Sequence, residues 1–354
     1  MTRVKNIFMQ IACAAALVIA LVACERRPLE EASEFVEIKV KVNVQTVANV
    51  MVDVYNDKIP LPDVNTDVMR VLVYDPSSQK LLTQSFISGK TIDEEGNQVL
   101  SGTLTISYGH YDFLVYNFDT PVTQVSGETS ETDILAYTSE IPPAQKYRYS
   151  GMTKADSDPS SLLELDMRYE PDHLLVAREH NLRVSPHESV IVIETEAHTV
   201  VDSYYLQIHV EGMQYASSAM AVISGLSPSN HIGLDERTYD PSVAVAFDLN
   251  KSTDPRLESE NKDVLCSIFN TFGKIPDIKS DLIVTFNVID VAGNLQQFQT
   301  SLDKVFLTED AIERHWLLID ETWVIENPLP DEPRGGGFQP TVDDWEEEHG
   351  EIVL

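Results

Sequence analysis

The stretch Val36-Glu37-Ile38-Lys39-Val40-Lys41-Val42-Asn43-Val44-Gln45 alternates a branched apolar residue with a polar one at every step. A period of two sends successive side chains to opposite faces, so this is a strand with one face in a core and the other in water. No glycine or proline interrupts it, and a domain begins here. Residues 68–74, 80–87 and 98–106 carry further strand signals, separated by turn clusters such as Asp75-Pro76-Ser77-Ser78 and Glu95-Gly96-Asn97. The run Gly109-His110-Tyr111-Asp112-Phe113-Leu114-Val115-Tyr116-Asn117 is dense in aromatic and branched residues, which suits the central strand of a first sandwich.

Working outward, residues 119–161 turn Thr-, Ser- and Pro-rich with little periodicity and read as long surface loops, where binding functions concentrate. Short apolar pieces resume at 162–165 and 174–177, and a boundary is placed within 179–186. Beyond it, 190–193, 205–211, 219–223, 243–249, 264–272, 281–289 and 297–302 continue the strand pattern. In 205–211, Leu206, Ile208 and Val210 alternate with Gln207, His209 and Glu211. Residues 309–314 form the one helical stretch of this half, and 316–325 its last strand. Regular strand–helix alternation is missing from both halves, so the fold class is all-β, two tandem antiparallel β-sandwiches. The units are 35–182 and 183–327, followed by a linker and acidic tail at 328–354.

At the other end, Arg3 and Lys5 precede an apolar run from Ile11 to Val22 that is too short for an ordinary bilayer span. Residues 1–23 therefore read as a secretory signal. The run ends in Leu21-Val22-Ala23-Cys24, which is similar to the bacterial lipobox. In that motif the cysteine thiol receives diacylglycerol, the signal is cut off and the new amino terminus is acylated. Residues 24–34 then form a lipidated tether, and multiple acyl chains give lasting anchorage where a single one does not.

Removing the signal leaves 331 residues and takes the formal charge from −32 to −34. Such a field repels phosphate backbones and anionic headgroups, which argues against nucleic acid as a partner. Membrane attachment must then come from lipid. Of three cysteines, Cys13 leaves with the signal and Cys24 takes the lipid, so Cys266 stands alone and reads as a buried, inert thiol.

No signature of a phosphate loop, nucleophile elbow, zinc helix or calcium loop is present in the sequence. Asp156-Ser157-Asp158 lacks the later ligands of a calcium loop and reads as a turn. His173, His180, His187, His198 and His209 recur at near-regular intervals but fall across turns and the expected boundary, so they read as scattered surface histidines. The expectation is a non-enzyme with no cofactor, no metal and no catalytic residue.

The lipobox with the following Glu25-Arg26-Arg27-Pro28-Leu29-Glu30-Glu31, the 109–117 strand and the 219–225 segment carry a resemblance across nearly the whole mature chain. The Ser267-Ile268-Phe269-Asn270-Thr271-Phe272-Gly273 turn and the closing Gly335-Gly336-Gly337-Phe338 to Glu348 belong to it too. Together they resemble the fimbrillin-like lipoproteins of Bacteroidales, and among them the FimB-like anchor branch of the type V pilus. The resemblance implies two transthyretin-like sandwiches, delivery to the outer membrane with exposure at the cell surface, and assembly with other fimbrial subunits by strand exchange. In stalk subunits of that family an arginine-directed protease removes the first strand. Here no arginine lies between Pro28 and Met69, so an anchor or accessory subunit with a retained lipid and an intact first strand is favoured.

Strand exchange nominates Val36, Ile38 and Val40 of the first strand as partner-binding residues. Trp345 and Ile352 of the tail join them, because a short tail strand can dock on an open sheet edge. The alternatives are a polymerising stalk or tip adhesin subunit, and a surface glycan-binding lipoprotein whose ligand is a host or bacterial surface molecule. The second needs coplanar exposed aromatics with nearby amides.

Overall fold

The computed structural model describes residues 35–328 except 45–49, 51–61, 63, 95, 151–160, 186, 188–189, 255, 257–261 and 276–281. The signal, the tether and nearly all of the tail lie outside the described residues, and with them Leu21, Val22, Ala23, Cys24, Trp345 and Ile352. Asp156-Ser157-Asp158 lies outside as well.

The chain runs β1 (Phe35–Val44), β2 (Met69–Tyr74), β3 (Leu81–Ile87), β4 (Gly89–Ile92), β5 (Gln98–Ser107), β6 (Gly109–Asn117), β7 (Gln124–Ser126) and β8 (Leu135–Tyr137). Then come α1 (Pro143–Ser150), β9 (Met167–Arg168), β10 (Leu175–Val184), β11 (Val190–Thr199), β12 (Asp202–Glu211) and β13 (Ala216–Leu226). The last third holds β14 (Ser229–His231), β15 (Glu236–Arg237), β16 (Val243–Asp248), β17 (Asn250–Thr253), β18 (Asp263–Thr271), β19 (Ile283–Asp290), β20 (Leu295–Ser301), α2 (Glu309–Arg314) and β21 (Trp316–Val324).

β1 is exposed and buried at strictly alternate residues, as its sequence requires. It pairs with β5 antiparallel, Ile38 opposite Leu104, and with β11 parallel, Ile38 opposite Ile191. These strands belong to an eight-stranded sheet in the order β3-β2-β6-β10-β11-β1-β5-β4. Only Leu175–Thr199 and Val176–His198 pair across the β10–β11 join, so the sheet folds over there. Its halves face each other across one core, where Val36, Ile38 and Val40 meet Val71, Phe113 and Val115.

β2 and β6 are buried on both faces. Phe113 and Val115 point into that core, while Leu72, Tyr74, Leu114 and Tyr116 form a second cluster on the opposite face with Ile134, Ile232 and Phe272. This is why 113–116 is an unbroken apolar run rather than an alternating one. The second sandwich packs β17-β18-β12-β21 against β20-β19-β13-β16-β9. Its core includes Leu206, Ile208, Phe286 and Trp323, with Phe247 and Phe269 stacked at 4.7 Å. Thr308 caps α2 by accepting from the Ala311 amide, and acids fill its first turn.

The structure departs from the sequence reading in several places. Residues 119–161 do not run as plain surface loops. β7 and β8 join β14 and β15 in a small bridging sheet, with Ala136 opposite Asn230. α1 starts at Pro143, where a missing amide costs nothing, and its Tyr149 carbonyl accepts from Asn287 Nδ2 at 2.7 Å. The sequence boundary at 182/183 falls inside β10, and both β10 and β11 hydrogen-bond into the first sheet, so sheet membership changes at Val200–Val201. β12 is not half-solvated: Gln207 is fully buried and His209 is screened, because Val50, Trp316, Asp254 and Arg256 cover that face.

Two outcomes test this architecture. Ile38→Ala opens a cavity in the first core and lowers unfolding free energy by about 2–5 kcal/mol, whereas Lys41→Ala, which breaks an exposed pair with Glu194, costs about 0–1 kcal/mol; urea denaturation of both variants reads the contrast. The second concerns Glu170, whose carboxylate accepts from the Asn270 amide at 2.9 Å and ties the segment before β10 to β18. Burial, with Asp248 adding, outweighs that hydrogen bond and pushes its pKa up from 4.5 to about 7. Between those values the folded chain holds a proton that the unfolded chain has released, so Glu170 makes stability fall as pH rises from about 5 to 7. Thermal unfolding of wild type and Glu170→Gln across that window will show a steeper decline in wild type; parallel curves would refute it.

Candidate functional site

A strand-rich subunit meets other chains in two ways, through a strand that leaves its place and through sheet edges whose backbone groups lack a neighbour. β1 is of the first kind by expectation. The structure places Val36, Ile38 and Val40 at 2%, 0% and 1% exposure, all facing the chain's own core. While β1 stays in the sheet they touch no partner. What β1 shows to solvent is its other row, Glu37, Lys39, Lys41 and Asn43, in register with Val190, Val192, Glu194 and Glu196 of β11.

The edge strands of the sandwich sheets are β3 and β4 in the first unit and β9, β17, β20 and β21 in the second. Most carry charge along the edge: Lys90 in β4, Arg168 in β9, Lys251 in β17, Asp320 and Glu321 in β21. Charges in such places discourage pairing with stray strands. β3, Leu-Leu-Thr-Gln-Ser-Phe-Ile, and β20, Leu-Gln-Gln-Phe-Gln-Thr-Ser, are neutral. β20 is partly engaged, because Gln296 exchanges two hydrogen bonds with the Glu326 backbone at 2.9 and 2.7 Å and Phe298 stacks on Trp323. β3 leaves Leu82 and Phe86 half exposed, and Phe86 packs on Phe118 at 5.1 Å.

The histidines take varied roles. His173 is buried and bridges Thr199 at 2.8 Å and Ser203 at 2.9 Å, at the passage from one sandwich to the next. That corrects the surface expectation for His173: its ring has local partners on both nitrogens. His209 pairs with buried Asp254. Burial alone would raise the Asp254 carboxyl, but hydrogen bonds from Arg256 and His209 hold it well below the usual carboxylate range. His180 is exposed and brings a ring nitrogen near Asp112 and Glu131, the three offering ligand atoms within 4.8 Å of one another. Burial, then Asp112, push the Glu131 pKa up, against the pull of His180. The strand pattern held no hint of this grouping, because a bulge in β10 between Glu179 and Leu182 turns His180 toward those acids.

Cys266 is fully buried, and desolvation raises its thiol pKa, which fits an inert side chain. A surface groove of about 530 Å³ lies between α1 and β13, with Arg148 and Asp248 on its wall paired to each other at 2.6 Å. At the junction, Arg237 pairs with Asp202 at 2.6 Å, and Arg178 Nε donates to the Ile232 carbonyl at 2.6 Å.

Comparison with known proteins adds a family to this geometry. Over 275 residues, 70% of this chain and 75% of the relative, the sequence is 24% identical to the "Putative fimbrium anchoring subunit Fim4B" of Bacteroides ovatus. A crystal structure described as a "putative adhesin", also from Bacteroides ovatus, shares the fold with a TM-score of 0.52 at 18% identity, covering 86% of this chain and 94% of the other. The fimbrial anchor protein Mfa2 from Porphyromonas gingivalis aligns with a TM-score of 0.45 at 12% identity, over 80% of this chain and 88% of its own. Residues 39–248, more than half of the chain, match the family model "Domain of unknown function (DUF5119)", and the protein with the locked first strand and the neutral β3 edge is a member of that family.

Proposed function

We propose that this chain is a lipid-anchored accessory subunit of the outer membrane that anchors or terminates a type V fimbria, binding the adjoining subunit by β-strand addition. The observation that carries this reading is the state of β1. It is paired on both sides along most of its length, and its inner row of five residues, Val36 to Val44, is built into the first core. With no arginine between Pro28 and Met69, an arginine-directed cut just behind the strand has no site. A subunit that keeps its first strand offers no vacated groove at that position, so a fibre is not extended through it. Kinship with a protein named as a fimbrium anchoring subunit supplies the fimbrial context.

In this reading residues 1–23 are removed, Cys24 carries the lipid and 24–34 spans from the bilayer to β1. The acidic tail, with Trp345 and Ile352, is a second candidate contact for a neighbouring subunit. No catalytic step takes part. A saccharide platform finds little support among the described residues, since the exposed pair Phe86 and Phe118 is tilted by 45° and neither ring bears a polar group.

Metabolic acyl labelling of cells making wild type or Cys24→Ala, with N-terminal analysis of the surface form, tests the proposal. Wild type is expected to carry label, to begin at Cys24 and to retain fimbriae on the cell, while Cys24→Ala loses label and sheds fimbriae into the medium. A lipid-free surface form that begins beyond β1 would make the chain a polymerising subunit instead. A lipidated form with no fimbrial subunit attached would end the fimbrial reading.

A further inference from the structure

The fimbrial reading leaves open which edge accepts a strand, and β3 is where backbone and side chains agree. We infer that β3 receives an extended segment of a fimbrial partner, apolar at alternate positions, as an added strand of the eight-stranded sheet. The inference rests on the fimbrial reading and names the edge it would use.

β3 is hydrogen-bonded to one strand, β2, with Arg70 opposite Phe86 and Leu72 opposite Gln84, and its Ile87 end lies against Gly102 of β5. On its far side the Leu81 amide is taken by the Thr129 carbonyl at 3.1 Å. From Leu82 to Ile87 no further backbone partner occurs among the described residues, which leaves a row of donors and acceptors that an extended chain satisfies. The side chains along that row are unusual for a solvent edge. Leu82 is 53% exposed, Phe86 52% and Phe118 43%, with the Phe86 and Phe118 rings in contact. The Arg70 guanidinium lies 5.7 Å over the Phe86 ring and is also paired with Glu128 at 2.9 Å, so Phe86 is held in place rather than free to fold away. An apolar residue arriving next to Phe86 would cover it, and its neighbours on either side would face water or the end of the first core beside Ile87.

Other edges fit less well. β4 continues from β3 through Ser88 but bears Lys90, paired with Asp67 at 2.9 Å. β20 is neutral, and its glutamines are used as Gln84 of β3 is used by Arg70 at 3.2 Å, but its one aromatic, Phe298, is stacked on Trp323 and Gln296 holds the Glu326 backbone beside it. The occupant is a different and less acidic chain rather than a second copy, because two mature molecules at a formal charge of −34 each repel as they approach.

The test mixes the full mature chain with fimbrial subunits sheared from cells that express it, and reads affinity together with amide hydrogen exchange. Phe86→Lys and Leu82→Lys put a charge on the edge at solvent-exposed positions, and Gln299→Lys does the same on β20. Affinity is expected to fall at least tenfold for both β3 variants, each still folded by circular dichroism, to stay the same for Gln299→Lys, and binding is expected to slow exchange in 82–86 of wild type. Full affinity in both β3 variants, or slowed exchange in β20 in place of β3, would overturn this edge and leave the fimbrial reading standing. Self-association of wild type that Phe86→Lys abolishes would make the occupant a second copy and overturn the assignment. Failure of wild type to bind any sheared subunit would remove the fimbrial reading and this site together.

Discussion

The structure depends on β1 being held between β5 and β11. Its pairing with β11 joins residues some 150 positions apart, Ile38 with Ile191 and Lys41 with Glu194, and it runs parallel, so no hairpin can supply it. Everything between must be placed for that ladder to close. Closing so long a loop costs entropy, and five branched residues buried to 5% exposure or less offset it. The inner row of β1 is therefore both the register key of the sheet and part of the floor of the first core. A strand used in this way can be removed only by dismantling the sandwich it belongs to, which is the physical content of calling it locked.

A second consequence follows from burying β2 and β6 on both faces. One face completes the first core; the other must be covered from outside, and the cover comes from the bridging sheet and from Ile232 and Phe272 of the second unit. The two sandwiches are thus joined by an apolar cluster, not by a bare linker. Polar ties ring that cluster: Arg178 to the Ile232 carbonyl, Arg237 to Asp202, and His173 between Thr199 and Ser203. These three side chains find local partners, whereas the buried Asn230 Oδ1 and His231 Nδ1 of β14 have none among the described residues. For a subunit proposed to sit between a membrane and a fibre, a stiff junction would pass tension on rather than absorb it.

Where burial repeats with the period of the backbone, the sequence was legible. β1 alternates and is a half-buried strand; the unbroken apolar run 113–116 within 109–117 belongs to a strand covered on both sides; Thr308 followed by acids marks the start of α2. Elsewhere the partner that decides burial is remote. Ile134, Ala136 and Ile141 sit among Thr, Ser and Pro, and it is the outer face of β2 and β6, the second unit and the chain's own return at Met167 that bury them. Gln207 and His209 look like the wet face of β12 until Val50, more than 150 residues earlier, is laid over it. The turn after Val184 has the composition of a linker, yet β11 beyond it belongs to the first sheet, because parallel pairing with β1 leaves no local mark. The nominated residues divide in the same manner: Val36, Ile38 and Val40 were recognisable as inward-facing, but the pattern alone did not say whether the core they face is their own or a partner's.

The same limit bears on the edges, and it decides which observation about β3 has weight. With 23% of residues charged, a seven-residue strand lacks charge by chance roughly one time in six, so neutrality at an edge is a weak sign by itself. β20 illustrates this, being equally neutral while its side chains are spent on Asn287, Thr285 and the Glu326 backbone. At β3 Leu82 and Phe86 stand half in water along the stretch whose outer backbone groups are unpaired, and Phe118, just past β6, packs on Phe86. Exposed apolar residues scattered singly are ordinary, whereas a contiguous group beside an open hydrogen-bonding edge adds two separate costs that one extended partner would relieve together. Ile92 of β4 and Val324 of β21 are exposed singly, so it is the coincidence of unmet backbone with a pair of exposed rings in contact that makes β3 a place where the sheet is unfinished.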